Sequence, residues 1–212
     1  MPPSAEDTRR KLVDEAARAF ARDGVFSASL VDITRNAGQR NRGALHYHFG
    51  SREGVLCAVL ERHVDFLARR EGELLQAALA GPANDMEAVV EAIVRPASEL
   101  AERGWRGRCF LVILAELVEE DQDSLGPEVQ EVLARTGGFE VYAVIGRLMP
   151  PLTPDVQIER FSLATSFILR AVADRARSQN RRGRAGRQQL GQEEFVRNLI
   201  AMAAAGLSAP LT

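Results

Sequence analysis

Cysteine is nearly missing from this chain. Its 212 residues hold two, Cys57 and Cys109, and neither sits in a CxxC pair. That excludes a disulfide framework and leaves both to be read as small, buried apolar residues. Histidine is almost as scarce, with His46, His48 and His63 only. His46 and His48 are two apart, so on a helix they point roughly 200° away from each other and do not share a metal; His63 has no partner motif. No glycine-rich phosphate cradle and no nucleophile elbow is present. The expectation is a protein without catalytic residues, metal or cofactor. No apolar run approaches the roughly 18 residues that span a bilayer, and the polar start from Met1 to Lys11 lacks a signal-peptide core. No membrane partner and a cytoplasmic location are therefore expected. Lysine is rare too: Lys11 is the single one among 27 basic residues.

What is there is helix. Proline and glycine fall at punctuation points, strand-like alternation is hard to find, and the pattern predicts an all-α fold of about nine helices. Ser4 caps a first helix from about Ala5 to Asp23, whose Val13, Ala16, Ala17 and Phe20 form one apolar stripe. Ser29 caps a second, short helix that ends at Gly38, with Leu30, Ile33 and Ala37 inward. A third covers roughly Asn41 to His48, with Leu45 and Phe49 inward. Arg52 to about Ala80 is one long helix, and Asn84 with Glu87 opens another to about Arg103. An apolar segment runs from Cys109 to Leu117. Pro127 opens a helix that Pro150 and Pro151 close. Thr153-Pro154-Asp155 starts one reaching about Arg177, Ser178 to Gly191 reads as a mobile loop, and the last helix spans about Gln192 to Ala205. Six basic residues between Arg175 and Arg187 are read as a solvated loop rather than a nucleic-acid site.

The informative stretch is residues 8–62. Two short helices meet at a tight turn, Ala37-Gly38, and the second presents Arg40, Asn41, Arg42, His46 and Tyr47 outward. A helix-turn-helix has this arrangement: apolar residues fix the angle between the helices, and the polar face of the second enters the major groove. Arg pairs with guanine and Asn with adenine in bidentate fashion, and Ser29 at a helix N-terminus offers donors to a phosphate. The net charge of −2 says little, although residues 1–60 hold nine basic against seven acidic side chains while the rest is acidic on balance, eighteen against twenty-two.

Three segments carry a resemblance. Thr8-Arg9-Arg10-Lys11-Leu12-Val13-Asp14-Glu15-Ala16-Ala17-Arg18-Ala19-Phe20-Ala21-Arg22-Asp23-Gly24 resembles the first helix of the TetR family of transcriptional regulators. Ser29 to Thr34 followed by Ala37-Gly38 resembles its second, and Gly43 to Leu56 its recognition helix and the start of helix four. The likeness covers about a quarter of the chain. It implies that Ser29, Tyr47 and Arg52 contact phosphates and that Arg40, Asn41, Arg42 and His46 read bases. It also implies that Gly43 allows close approach to DNA, and that His48 and Phe49 are structural. Phosphate contacts fix register, whereas base contacts carry sequence information. The family spacing between the turn glycine and Ala44 is one residue shorter than Gln39-Arg40-Asn41-Arg42-Gly43. Which of Arg40, Asn41 and Arg42 faces the bases therefore stays open.

The resemblance implies a DNA-binding domain over 1–50 and an effector-binding and dimerisation domain over 51–212. The expected function is a ligand-responsive regulator, a repressor by resemblance, that binds palindromic operator DNA as a homodimer and answers to an unidentified small molecule. A ligand-independent DNA-binding protein is the alternative, disfavoured because dimerisation alone needs fewer helices, and an enzyme is a more remote one. Pocket candidates are Phe66, Val89, Ile93, Trp105, Phe110, Ile113, Phe139 and Tyr142, each of which also reads as core; Trp105, beside a helix break, is expected at a pocket mouth. The last two helices resemble the family's dimerisation pair. Phe161, Ala164, Ile168 and Val172 are expected in that interface from one helix, and Phe195, Leu199 and Met202 from the other, in a four-helix bundle across a two-fold axis.

Overall fold

The computed structural model describes residues 4–41, 43–119, 124–180 and 189–210. Among them are ten α-helices and no strand: α1 (Ala5–Asp23), α2 (Leu30–Asn36), α3 (Ala44–Phe49), α4 (Arg52–Ala80), α5 (Met86–Glu102), α6 (Trp105–Glu119), α7 (Pro127–Ala134), α8 (Gly138–Leu148), α9 (Pro154–Asn180) and α10 (Gln192–Ser208). The all-α expectation holds, with one more helix than the sequence suggests. The segment after Pro127, read as one helix, is two. Arg135 to Gly137 breaks it, because Gly137 turns to φ 87°, a left-handed conformation that no helix interior adopts.

Local chemistry sets the boundaries. Ser4, Ser29 and Ser51 each cap a helix by accepting a backbone N–H three residues on, from Asp7 (3.0 Å), Asp32 (3.2 Å) and Gly54 (3.1 Å). The cap of α5 is Asp85, which accepts from Ala88 N at 3.0 Å, so the Asn84–Glu87 box expected there is displaced by one residue. α5 then continues through Pro96. α3 begins at Ala44 rather than Asn41, because Asn41 Oδ1 accepts from Gly43 N (2.9 Å) and holds a turn ahead of the helix.

The buried apolar cluster runs without a break from the head (α1 to α3) into the body (α4 to α10). Val13, Ala16 and Phe20 of α1 join Ile33, Leu45, Val55 and Leu60, and the same cluster continues through Phe110, Ile145 and Ile168 to Leu207. α4 is the spine: α1 and α3 pack on its N-terminal half, and α5 and α7 along its length. α6 lies between α1 on one side and α9 on the other, and α10 closes against α5 and α9. Arg175, read as part of a solvated run, belongs to α9. Its guanidinium lies 4.5 Å from the centre of the Phe195 ring and donates to Leu190 O and Gln192 Oε1, which ties α9 to α10. Residues 181–188, with the remaining arginines of that run, lie outside the described residues.

One close approach fixes how α3 meets α4. A Cβ added at Gly54 would stand 2.1 Å from the carbonyl oxygen of Phe49. Gly54→Ala is therefore expected to destabilise the protein by about 1–3 kcal/mol, because backbone rather than a flexible side chain must give way. A thermal melt of the variant beside wild type measures this; unchanged stability would contradict the packing described.

Candidate functional site

The helix-turn-helix is built from α2, the turn at Ala37-Gly38 and α3. Ile33 and Leu45 sink into the main core, while Leu12, Ala37 and Ala44 form a second small cluster against Phe49. Locked on that side, the motif turns its polar side outward: Arg40, Asn41, His46 and Tyr47 are all exposed, and Tyr47 keeps 84% of its surface open. An aromatic residue that open on a six-residue helix contributes nothing to the core. Arg42 lies outside the described residues. Ser29 is exposed at the start of α2, and accepting from Asp32 N leaves its hydroxyl hydrogen to donate. Arg52 turns inward instead: Nη1 donates to Val25 O (2.7 Å) and Ala28 O (2.9 Å), bracing the connection into α2. His48 and Phe49 are half-buried, and Arg9 stacks 5.1 Å above the Phe49 ring.

The head is held to the body largely by α6. Asp14 of α1 pairs with Arg106 of α6 (2.7 Å) and with Arg62 of α4. These two arginines hold its carboxyl below the usual range against the opposing effect of burial. Arg18 of α1 stacks 3.9 Å above the Trp105 ring, and Arg106 stacks on that ring as well at 4.7 Å. Glu116, near the far end of α6, accepts Val25 N at 2.8 Å. The sequence marked Trp105 for a pocket mouth; the structure has two arginines stacked on it at the head–body junction.

A cavity of about 600 Å³ opens between α6, α7, α8 and α9. Of the eight pocket candidates, Phe139 and Tyr142 line it. The other six are elsewhere: Phe110 and Ile113 are fully buried in the core, Val89 and Ile93 are buried on α5, and Phe66 lies under Arg103 at 4.3 Å, with Trp105 as described. The walls the sequence did not mark come from Leu114, Leu117, Leu133 and Phe161. Phe161, expected in a subunit interface, is part of this lining. Its ring meets Tyr142 edge-on at 5.7 Å.

The last two helices carry their own unpartnered surface. Ile168, Val172 and Leu199, expected in a dimer interface, point into the protomer and are buried there, and Ala164 and Phe195 are half-buried. Met202 does face outward, 53% exposed, and the exposed face of α9 is one set of positions over, at Leu163 (61%) and Phe167 (39%). The 3.6-residue period identified an apolar helix but not which of its two apolar sides meets the protomer's own core.

Cys109 is buried and Cys57 half-buried, and burial pushes both thiols up, Cys57 to about 11, so neither is a thiolate at neutral pH. Among the described residues no helix is long and apolar enough to cross a membrane.

A helix-turn-helix carried on a cavity-bearing helical body is the architecture of TetR-type regulators. Residues 91–206 match the family model described as Tetracyclin repressor-like, C-terminal domain, and the chain belongs to that family. Among curated relatives, the HTH-type transcriptional regulator SrpR of Pseudomonas putida is 45% identical over 56 residues, 26% of each chain. The HTH-type transcriptional repressor KstR2 of Rhodococcus jostii is 33% identical over 104 residues, 46% of this chain and 48% of the relative. The matched stretches thus span less than half the length of these relatives. Among solved structures, AibR in complex with isovaleryl coenzyme A and operator DNA superposes with a TM-score of 0.55 at 18% identity, over 92% of this chain and 97% of that one. The ketosteroid transcriptional regulator KstR2 of Mycobacterium tuberculosis gives 0.55 at 18% identity, covering 95% of each. At such identities the likeness is one of fold.

Proposed function

We propose that this protein is a ligand-responsive transcriptional repressor that binds palindromic operator DNA as a homodimer in the cytoplasm and has no catalytic role of its own. The observation that carries the reading is the short α3, locked on its apolar side by Leu45 and Ala44 and turned outward with His46 and the 84%-exposed Tyr47. Residues 1–50 form the DNA-binding part and 51–212 the effector and dimerisation part. Arg40, Asn41, Arg42 and His46 are on the base-reading side, and Ser29 and Tyr47 contact phosphates. Arg52 is assigned to the phosphate-contacting set through Nε and Nη2, while Nη1 stays on the connection that carries Ser29. A homodimer is favoured physically, because one six-residue helix buries too little surface for tight binding while two joined copies add their contacts.

The cavity and the head share an element, and this supplies the coupling. α6 lines the cavity with Leu114, Leu117 and Val118 and grips α1 and its following connection through Trp105, Arg106 and Glu116. A ligand that shifts α6 moves the head, and with it α4, changing the separation of two recognition helices from the roughly 34–36 Å that one DNA turn requires. Operator affinity then falls by the ligand's differential affinity for the two conformers, typically about 1–3 kcal/mol.

Fluorescence anisotropy with labelled duplexes tests the interface residue by residue. Tyr47→Phe is expected to weaken operator and random duplex alike, since a phosphate contact carries no sequence. Arg40→Ala is expected to weaken the operator selectively, by about 1–3 kcal/mol, and to relax one base position. Equal losses on operator and random DNA for Arg40→Ala would remove that residue from the base-reading set.

A further inference from the structure

We propose that the cavity takes an uncharged, largely apolar molecule bearing one hydrogen-bond-donating hydroxyl, which is read by the oxygens of Tyr142 and Thr165. This deepens the function proposed above and rests on the cavity being the effector site.

At about 600 Å³ the cavity has the size of a small-molecule site, and no described residue of its lining is ionisable to a charged form at neutral pH. An ionised carboxylate or ammonium entering it would give up its hydration with no counter-ion among the described lining residues. The apolar walls, with Leu117, Leu133 and Phe161 prominent, suit a hydrocarbon or aromatic body.

The hydrogen count then fixes the polar end. Tyr142 Oη lies 2.6 Å from Thr165 Oγ1, and Thr165 Oγ1 donates to the carbonyl of Phe161 at 2.7 Å. A hydroxyl has a single hydrogen. Thr165's is directed at Phe161, so Tyr142 is the donor in the pair it makes with Thr165. Thr136, also in the lining, donates to Leu133 O at 2.8 Å. Of the four hydroxyls in the lining, these three therefore turn lone pairs, not hydrogens, toward a ligand, and the fourth, Ser162, is solvent-exposed. An alcohol or phenol meets the Tyr142–Thr165 pair with its O–H. An ether or ketone of the same shape brings only lone pairs to the lone pairs of that pair. Burial holds the Tyr142 phenol protonated, pushed up to about 12, so it stays a neutral acceptor. Its ring is fixed edge-on against Phe161, which places the acceptor before any ligand arrives.

Isothermal titration calorimetry on the whole protein, without DNA, tests this with four probes of one shape: para-butylphenol, para-butylanisole, para-butylbenzoate and para-butylbenzylamine. The phenol is expected to bind at least about tenfold tighter than the anisole, the equivalent of one net hydrogen bond, with both ions weaker still. In the double variant Tyr142→Phe/Thr165→Val the phenol's advantage over the ether is expected to fall within about threefold while the ether's own affinity holds. Tyr142→Phe alone, the gentler change, is expected to reduce that advantage in part. Ala134→Trp, at an exposed position of the lining, is expected to abolish binding of every probe with helix content unchanged. Equal affinity for phenol and ether, tighter binding of either ion, or no binding of any probe would overturn the inference. Adding operator DNA separates the two readings. A phenol that binds with this preference yet leaves operator affinity unchanged upholds the ligand chemistry and defeats the regulatory role. A regulator that responds to molecules without the preference does the reverse.

Discussion

The double variant Phe167→Asp/Met202→Asp is expected to remain as helical as wild type, to sediment as a monomer, and to lose operator affinity by on the order of a hundredfold or more. Both side chains project from the protomer, Phe167 with 39% and Met202 with 53% of its surface open. Charging them leaves in place the α9 and α10 core contacts of Ile168, Val172 and Leu199, which are buried where Phe167 and Met202 are open. In a dimer those positions are desolvated, and like charges facing each other across a two-fold axis repel with no partner to neutralise them. The loss on DNA follows from avidity, since each half-site held alone is a weak site. The matched control is Ile168→Asp, which is expected to unfold the protomer. Sedimentation and anisotropy on the same samples decide the matter: a Phe167→Asp/Met202→Asp protein that stays dimeric would place the interface elsewhere.

Glu71→Gln is expected to stabilise the protein, and to do so increasingly as pH rises. Glu71 of α4 is 6% exposed, and its Oε2 has no hydrogen-bond partner. It lies against Gly137, where an added Cβ would stand 3.1 Å from that oxygen. Desolvation pushes its carboxyl from 4.5 up to about 9. Between those values the unfolded chain has already released a proton that the folded chain still holds. Stability therefore falls as pH rises through that window, by at most about 1.4 kcal/mol per pH unit, and levels off above it. Glutamine stays neutral throughout. The two proteins are expected to be nearly equal at about pH 5 and to differ by on the order of 3 kcal/mol at pH 8 in favour of the variant. His63 works at the other end. Its ring is packed edge-on to Phe110, and desolvation, with Arg62, Arg103 and Arg106 adding to it, lowers it from 6.5 to about 4. Its contribution is present above 6.5 and is lost as pH falls through that range. Denaturant melts at a series of pH values separate the two, since Glu71→Gln leaves the acid limb unchanged. A variant whose advantage over wild type is the same at every pH would contradict the neutral buried carboxyl.

Local rules were enough to read most of the architecture. Serine caps at positions 4, 29 and 51 and glycines after α1 and α3 sit where the structure ends and starts helices. The helix-turn-helix was legible for the same reason: its turn, its capping serine and its polar face lie within one short stretch. What escaped depends on contacts distant in sequence. Gly137 sits in a run that looks helical on both sides, and the break at Arg135 to Gly137 shows only where Gly137 meets Ala68 and Glu71 of α4. Trp105 looks like a pocket residue because an aromatic beside a helix break is a common lining; the Arg18 that stacks on it comes from α1, far earlier in the sequence. The cavity drew on Phe161 and Leu133, which periodicity assigns to a packed face without saying what lies opposite. On α9 two apolar sides exist, one for the protomer and one for solvent or a partner, and composition does not separate them.

The central claim is that two copies of this chain present α3 to successive major grooves. Selection of duplexes from a random library by the purified full-length protein tests it most directly. The account predicts enrichment of an inverted repeat whose half-sites lie about one helical turn apart, with binding weakened by added salt. Recovery of a single, unrepeated half-site, or of no preferred sequence at moderate salt, would contradict it.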